Sequence, residues 1–148
     1  MGSTSVKLLL DTHIWIWYLL GNESLSPQLQ NTIAATTTEL WLSPISIWET
    51  LLLAEKGRIS LQPHPVAWID LALNTLEIRE APLNRQIAIL SRQLQLPHQD
   101  PGDRFIATTT VYHQLTLATA NNQQFTFDCY SRSAIAISIH LYFFTFLV

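Results

Sequence analysis

Charge is scarce in this chain. Of its 148 residues only 13% are Asp, Glu, Lys or Arg, whereas 48% are hydrophobic, proportions that suit a packed core and exclude a disordered segment. A single cysteine, Cys129, rules out an internal disulfide framework. It fits a reducing cytosol, in which a lone thiol serves as a small apolar residue. Nor is there a signal-peptide apolar region, because Lys7 is followed only by Leu8 to Leu10 before Asp11 intervenes; a cytoplasmic location is expected. Zinc patterns of the C-x-x-C and H-E-x-x-H kinds are absent, as are G-x-S-x-G and G-x-G-x-x-G, and no D-x-D follows the first apolar run. Structural zinc, serine hydrolysis, dinucleotide binding and aspartyl-phosphate chemistry are thereby disfavoured. The net charge of −3 supplies no broad attraction for polyanions, so any nucleic-acid site must depend on local Arg groups or bound cations.

What is present alternates. Val6 to Leu10 reads as a short buried strand and Thr12 to Leu20 as a helix ended by Gly21-Asn22,. Ser26-Pro27 is a helix start, Leu40 to Leu42 a second strand, and Pro44 with Ser46 opens a helix running to Gly57,. A short helix is expected around Trp68, an extended segment over Leu76 to Ala81, helices over Asn84 to Leu94 and Asp103 to His113, and a strand over Leu115 to Thr119,. Strand and helix in alternation predict an α/β fold with a parallel sheet and right-handed crossovers. The chain has the length of one domain, enough to bury about two-thirds of its unfolded surface.

Three acids stand where strand-like runs yield to helix-like ones: Asp11, Glu49 and Asp103. Each has a structural explanation. Asp11 reads equally as a cap of the helix at Thr12 or as a ligand. Ser46 and Glu49 have capping-box spacing, and taken singly that is the better reading of Glu49. Asp100 before Pro101 looks like another cap, with Asp103 at the matching box position,. Capping does not explain why all three follow runs of one parallel sheet with no Lys nearby. If the strands are parallel the carboxylates gather at one sheet edge, where open α/β sheets bind ligands and where hard cations such as Mg²⁺ or Mn²⁺ find the oxygens they require. Arg104, directly after Asp103, is the cation best placed for a substrate phosphate. Arg85 and Arg92 read as a solvated face, and His13 and His98 as partly buried structural histidines or substrate contacts.

The segments V-K-L-L-L-D-T-H-I-W, S-P-I-S-I-W-E-T and L-P-H-Q-D-P-G-D-R-F-I-A-T-T resemble those of PIN-domain nucleases, specifically the VapC-like toxins of bacterial type II toxin–antitoxin pairs, over about Val6 to Phe125. The resemblance implies a three-layer α/β/α domain with a central, mostly parallel sheet of about five strands. It implies a divalent-metal-dependent endoribonuclease, using Mg²⁺ or Mn²⁺ to hydrolyse RNA phosphodiester bonds. Asp11, Glu49 and Asp103 match the family's metal-binding acids, and Asp100 the extra acid of the D-P-x-D-R variant. Members commonly carry a further aspartate in T-x-D after the next strand; here Thr119-Ala120-Asn121 puts an amide there, leaving Asn121 as a weak oxygen donor. Expected partners are RNA, an antitoxin and a second copy of the chain, with Trp15 and Trp17 as candidate contacts. The substitution at 121 also motivates an alternative, a catalytically weak PIN-like module that keeps its antitoxin or RNA contacts.

The family pattern accounts for residues 1–140. The remainder, Leu141 to Val148, is an atypical apolar tail. From Ala134 onward the chain alternates with the period of a strand. At 15 residues it is shorter than the roughly 20 a membrane-spanning helix needs, so no membrane anchor is expected.

Overall fold

In the computed structural model, residues 5–96 and 99–119 and the backbone of 124–126 are described. His98, Asn121, Cys129, the apolar tail from Leu141 and the boundary at residue 140 lie outside them. The elements run β1 (Val6–Leu10), α1 (Thr12–Leu20), α2 (Pro27–Ala34), β2 (Thr38–Leu42), α3 (Pro44–Glu55), α4 (Pro65–Thr75), β3 (Ile78–Glu80), α5 (Arg85–Gln93), α6 (Pro101–Tyr112), β4 (Thr116–Ala118) and β5 (Gln124–Thr126).

The sheet order is β3-β2-β1-β4-β5. β1 pairs parallel to both β2 and β4, β2 pairs parallel to β3, and β5 is antiparallel to β4. Four parallel strands with one antiparallel edge strand agree with the mostly parallel sheet expected. The chain steps outward from β1 to β2 and β3, then crosses to the other side of β1 to form β4. The order therefore reverses between β1 and β4, and the crevice beyond their C-terminal ends is a topological switch point, the usual ligand position in open α/β sheets.

Leu8, Leu9 and Leu10 are all fully buried because helices cover both faces of β1, which is why this strand reads as a continuous apolar run without alternation. Leu8 and Leu10 enter a core with Ile14, Trp15, Leu29, Ile33 and Ile69. Leu9 points the other way, into a cluster with Ile106, Leu115 and Leu117. Two apolar layers on opposite faces of one sheet make the architecture α/β/α.

Helix starts follow local chemistry. Ser26 Oγ accepts from the Leu29 N–H at 3.2 Å, and Asn84 Oδ1 from that of Ile87 at 2.9 Å, each satisfying an otherwise orphaned first-turn donor. Gly21 ends α1 with φ of 65°, a left-handed conformation that costs glycine no Cβ clash.

Candidate metal centre

Asp11 occupies the junction of β1 and α1. Its backbone N–H donates to the Ala118 carbonyl at 3.0 Å, tying the end of β1 to the end of β4. Its side-chain Oδ1 accepts from the Thr12 N–H at 2.8 Å. Only 3% of Asp11 is exposed. It is thus a helix cap, as one of its two sequence readings held, and also a buried carboxylate at the switch point.

Glu49 has lost its capping explanation. The cap of α3 is Ser43, whose Oγ accepts from the Ile45 N–H at 3.1 Å, and Pro44 takes the first helical position that its fixed φ favours. Ser46 lies inside the first turns, fully buried, with its Oγ accepting from the Thr12 hydroxyl at 3.0 Å. The S-x-x-E box expected at Ser46 and Glu49 is therefore corrected: the helix starts one turn earlier, and Glu49 sits in its half-buried middle.

Asp100 does cap α6, its Oδ1 accepting from the Asp103 N–H at 3.1 Å. Asp103 is in the first turn of that helix. Between them Gly102 is buried, and a Cβ built on it would run into Glu49 Oε1 and stand 3.2 Å from Asp100 Oδ1. Glu49 of α3 thus rests against the opening backbone of α6, beside Asp100.

The electrostatics report the same convergence. Burial, then the neighbouring Asp103 and Glu49, push the Asp11 carboxyl up to about 8 against the pull of the Thr12 N–H. Asp103 is pushed up to about 7 by burial and by Asp100 and Glu49. Glu49 is raised by burial and by Asp100, with the Thr12 hydroxyl working the other way. These acids feel one another strongly, and none of the causes is a neutralising Lys or Arg. The ion pair found among the described residues, Arg79 with Glu39 at 3.7 Å, belongs to the β2–β3 side of the sheet.

Arg104 corrects another expectation. Its side chain is only 6% exposed; Nε and Nη2 donate to the Ser91 carbonyl at 3.0 and 2.7 Å, and Nη2 also to that of Leu94 at 2.9 Å. The guanidinium caps the C-terminal carbonyls of α5, a favourable place for a cation, and is not turned out toward a substrate phosphate. Arg85 and Arg92 are exposed, in keeping with a solvated face. His13 is half-buried with its ring centroid 5.9 Å from that of Trp17, and burial lowers its pKa. Trp15 is fully buried and meets Trp68 edge-on at 5.5 Å, so it is core, which removes it as a partner contact. Trp48 stands out with 58% exposure.

Sequence reasoning missed Thr12, Ser46 and Gly102. Only the short polar side chains of Thr12 and Ser46 amid apolar neighbours marked them, and nothing local in D-P-G-D announced that Gly102 makes room for Glu49.

A three-layer α/β/α domain with an acidic group at the switch point of its parallel sheet has the form of a cation-seeking ligand site. The PIN domain family matches residues 8–128, and the chain belongs to that family, whose members are generally nucleases that use divalent metal ions. Among solved structures, the chain is similar to one described as the crystal structure of VapBC2 from Rickettsia felis bound to a DNA fragment from their promoter. The match has a TM-score of 0.52 and 15% identity and covers 77% of this chain and 87% of that one, a likeness of fold. No curated protein sequence matches the chain.

Among the described residues no three His, Cys, Asp or Glu side chains already enclose an ion position. The donor set nevertheless fits a hard cation by its chemistry. It offers oxygens only, and the carboxylates repel one another when ionised, a repulsion that a divalent cation relieves.

Proposed function

We propose that this protein is a divalent-metal-dependent endoribonuclease and the toxin of a toxin–antitoxin pair, with Asp11, Glu49 and Asp103 as its catalytic and metal-binding acids. The observation that carries this reading is the mutual electrostatic coupling of Asp11, Glu49 and Asp103 at the switch point of a PIN-domain sheet. Asp11 and Asp103 would hold the ion, with Glu49 completing the site and Asp100 contributing from the helix cap. A bound Mg²⁺ or Mn²⁺ supplies Lewis acidity toward a phosphate oxygen and lowers the pKa of water.

The chain's own residues do the rest. The Thr12 N–H holds the Asp11 carboxylate in one orientation. Burial at the sheet edge keeps bulk water from screening the acids, so they remain partly protonated until a cation displaces those protons. Since Arg104 is engaged with backbone carbonyls, neutralisation of the RNA phosphate falls to the bound cation. Asn121 would add a neutral oxygen at most.

An antitoxin and a second copy of the chain are the proposed protein partners. Support comes from the toxin–antitoxin complex named for the fold neighbour, and from exposed apolar side chains including Trp48, Val66 and Leu71, which in quantity mark interaction surfaces. Among the described residues no helix is long and apolar enough to cross a membrane. A catalytically weak binding module is the competing reading, and Asn121 in place of an acid favours it. Incubating the protein with single-stranded RNA, with Mg²⁺ and separately with EDTA, distinguishes the two. Cleavage that appears with the metal and stops with the chelator is expected; intact RNA in both reactions, with RNA or antitoxin still bound, would establish the binding module instead.

A further inference from the structure

The Thr12 side chain is fully buried between the two helices that carry Asp11 and Glu49. Its backbone N–H fixes Asp11 Oδ1 at 2.8 Å. Its hydroxyl donates to Ser46 Oγ at 3.0 Å and also lies in hydrogen-bonding reach of Glu49. Ser46 is itself anchored, its carbonyl accepting from the Thr50 hydroxyl at 2.7 Å. One residue at the start of α1 therefore touches one acid through its backbone and reaches the second, on α3, through its side chain.

We propose that Thr12 is a positioning residue that orients Asp11 and Glu49 together for metal binding, an inference that rests on the divalent-metal reading of the pocket. A hydroxyl has one proton and two lone pairs, so Thr12 donates either to Ser46 or to Glu49. With Glu49 protonated or turned aside, the proton goes to Ser46. When Glu49 is ionised against a cation, the same proton turns to its carboxylate and fixes the ligand's direction, the task that outer partners perform for metal ligands generally. The Ser46 oxygen is then the resting acceptor that keeps the buried hydroxyl satisfied in the meantime.

A bridge that merely packs α1 on α3 would change stability and leave metal affinity alone. The test is Mn²⁺ titration by calorimetry, alongside melting without metal, for the parent, Thr12→Val, Thr12→Ser and Ser46→Ala. Thr12→Val keeps the shape and is expected to weaken Mn²⁺ binding about 10-fold, while Thr12→Ser recovers it to within about 3-fold. Ser46→Ala leaves Thr12 only Glu49 to serve and is expected to stay within about 3-fold of the parent, a comparison that stands even if Thr12→Val does not fold. Parent-like affinity in Thr12→Val, equal weakness in Thr12→Ser, or a tenfold loss in Ser46→Ala overturns the positioning role while leaving the metal reading in place. A parent protein that takes up no Mn²⁺ overturns both.

Discussion

Glu49 rests against the α-carbon of Gly102, so that any side chain at 102 would occupy the space of its carboxylate. Gly102→Ala is accordingly expected to turn the Glu49 carboxylate aside. The obstructing atom is the free end of a flexible side chain, so the fold survives. Alanine's better helix propensity, about 1 kcal/mol, offsets the crowding. Mn²⁺ affinity should fall by about 3- to 10-fold at an unchanged melting temperature; parent-like affinity would mean that Glu49 does not need that position.

A pH dependence follows from the raised carboxyls. Asp11 and Asp103 titrate near 3.8 when unfolded and at about 8 and about 7 when folded, so between these values the folded state holds more protons and stability falls as pH rises. Their contribution is intact below about pH 4 and is lost on passing through pH 7 to 8. Metal-free protein should therefore melt at least about 5 °C lower at pH 8 than at pH 5. Saturating Mg²⁺ should raise the melting temperature far more at pH 8, where it displaces fewer protons. A flat metal-free profile would show that the acids do not repel one another as described.

Arg104 yields a stability prediction in place of a catalytic one. Arg104→Met removes three hydrogen bonds and strands the carbonyls of Ser91 and Leu94, at a cost of about 2–4 kcal/mol. Arg104→Lys restores the charge without the fork and should recover only part of it. Urea unfolding measures both, and hydrogen exchange should place the new opening at the end of α5.

At Asn121, outside the described residues, the expectation rests on sequence. Asn121→Asp should tighten Mn²⁺ binding and raise the cleavage rate, and it should lower the melting temperature without metal by adding a like charge. Three unchanged readouts would place residue 121 away from the pocket.

The parts of the fold legible in the sequence were those with a one-dimensional signature. Leu8 to Leu10 announced a strand buried on both faces, Gly21 ended α1, and Ser26-Pro27 and Asp100-Pro101 opened helices where expected. Ser46 with Glu49 misled because two serines three residues apart both precede the helical pattern, and only packing decides that Ser43 is the cap while Ser46 faces Thr12. Arg104 misled for a related reason. Adjacency to Asp103 fixes where the backbone goes, but successive side chains on a helix point about 100° apart, so the residue after a pocket acid faces α5. Gly102 and Thr12 were silent because their roles depend on α3 arriving beside α1 and α6.

The measurement closest to the central claim is Mn²⁺ binding and RNA cleavage by Asp11→Asn beside the parent. The substitution is nearly isosteric and keeps an oxygen that can accept the Thr12 N–H, but it removes one anion from the pocket. Its folded circular dichroism spectrum should match the parent's, and without metal at pH 8 it should melt higher because a buried, repelled charge is gone. Mn²⁺ uptake should fall by about 10-fold or more, with metal-dependent cleavage lost. A variant that binds Mn²⁺ and cleaves RNA as the parent does would contradict the assignment of Asp11 as a metal ligand and, with it, this pocket as the catalytic site.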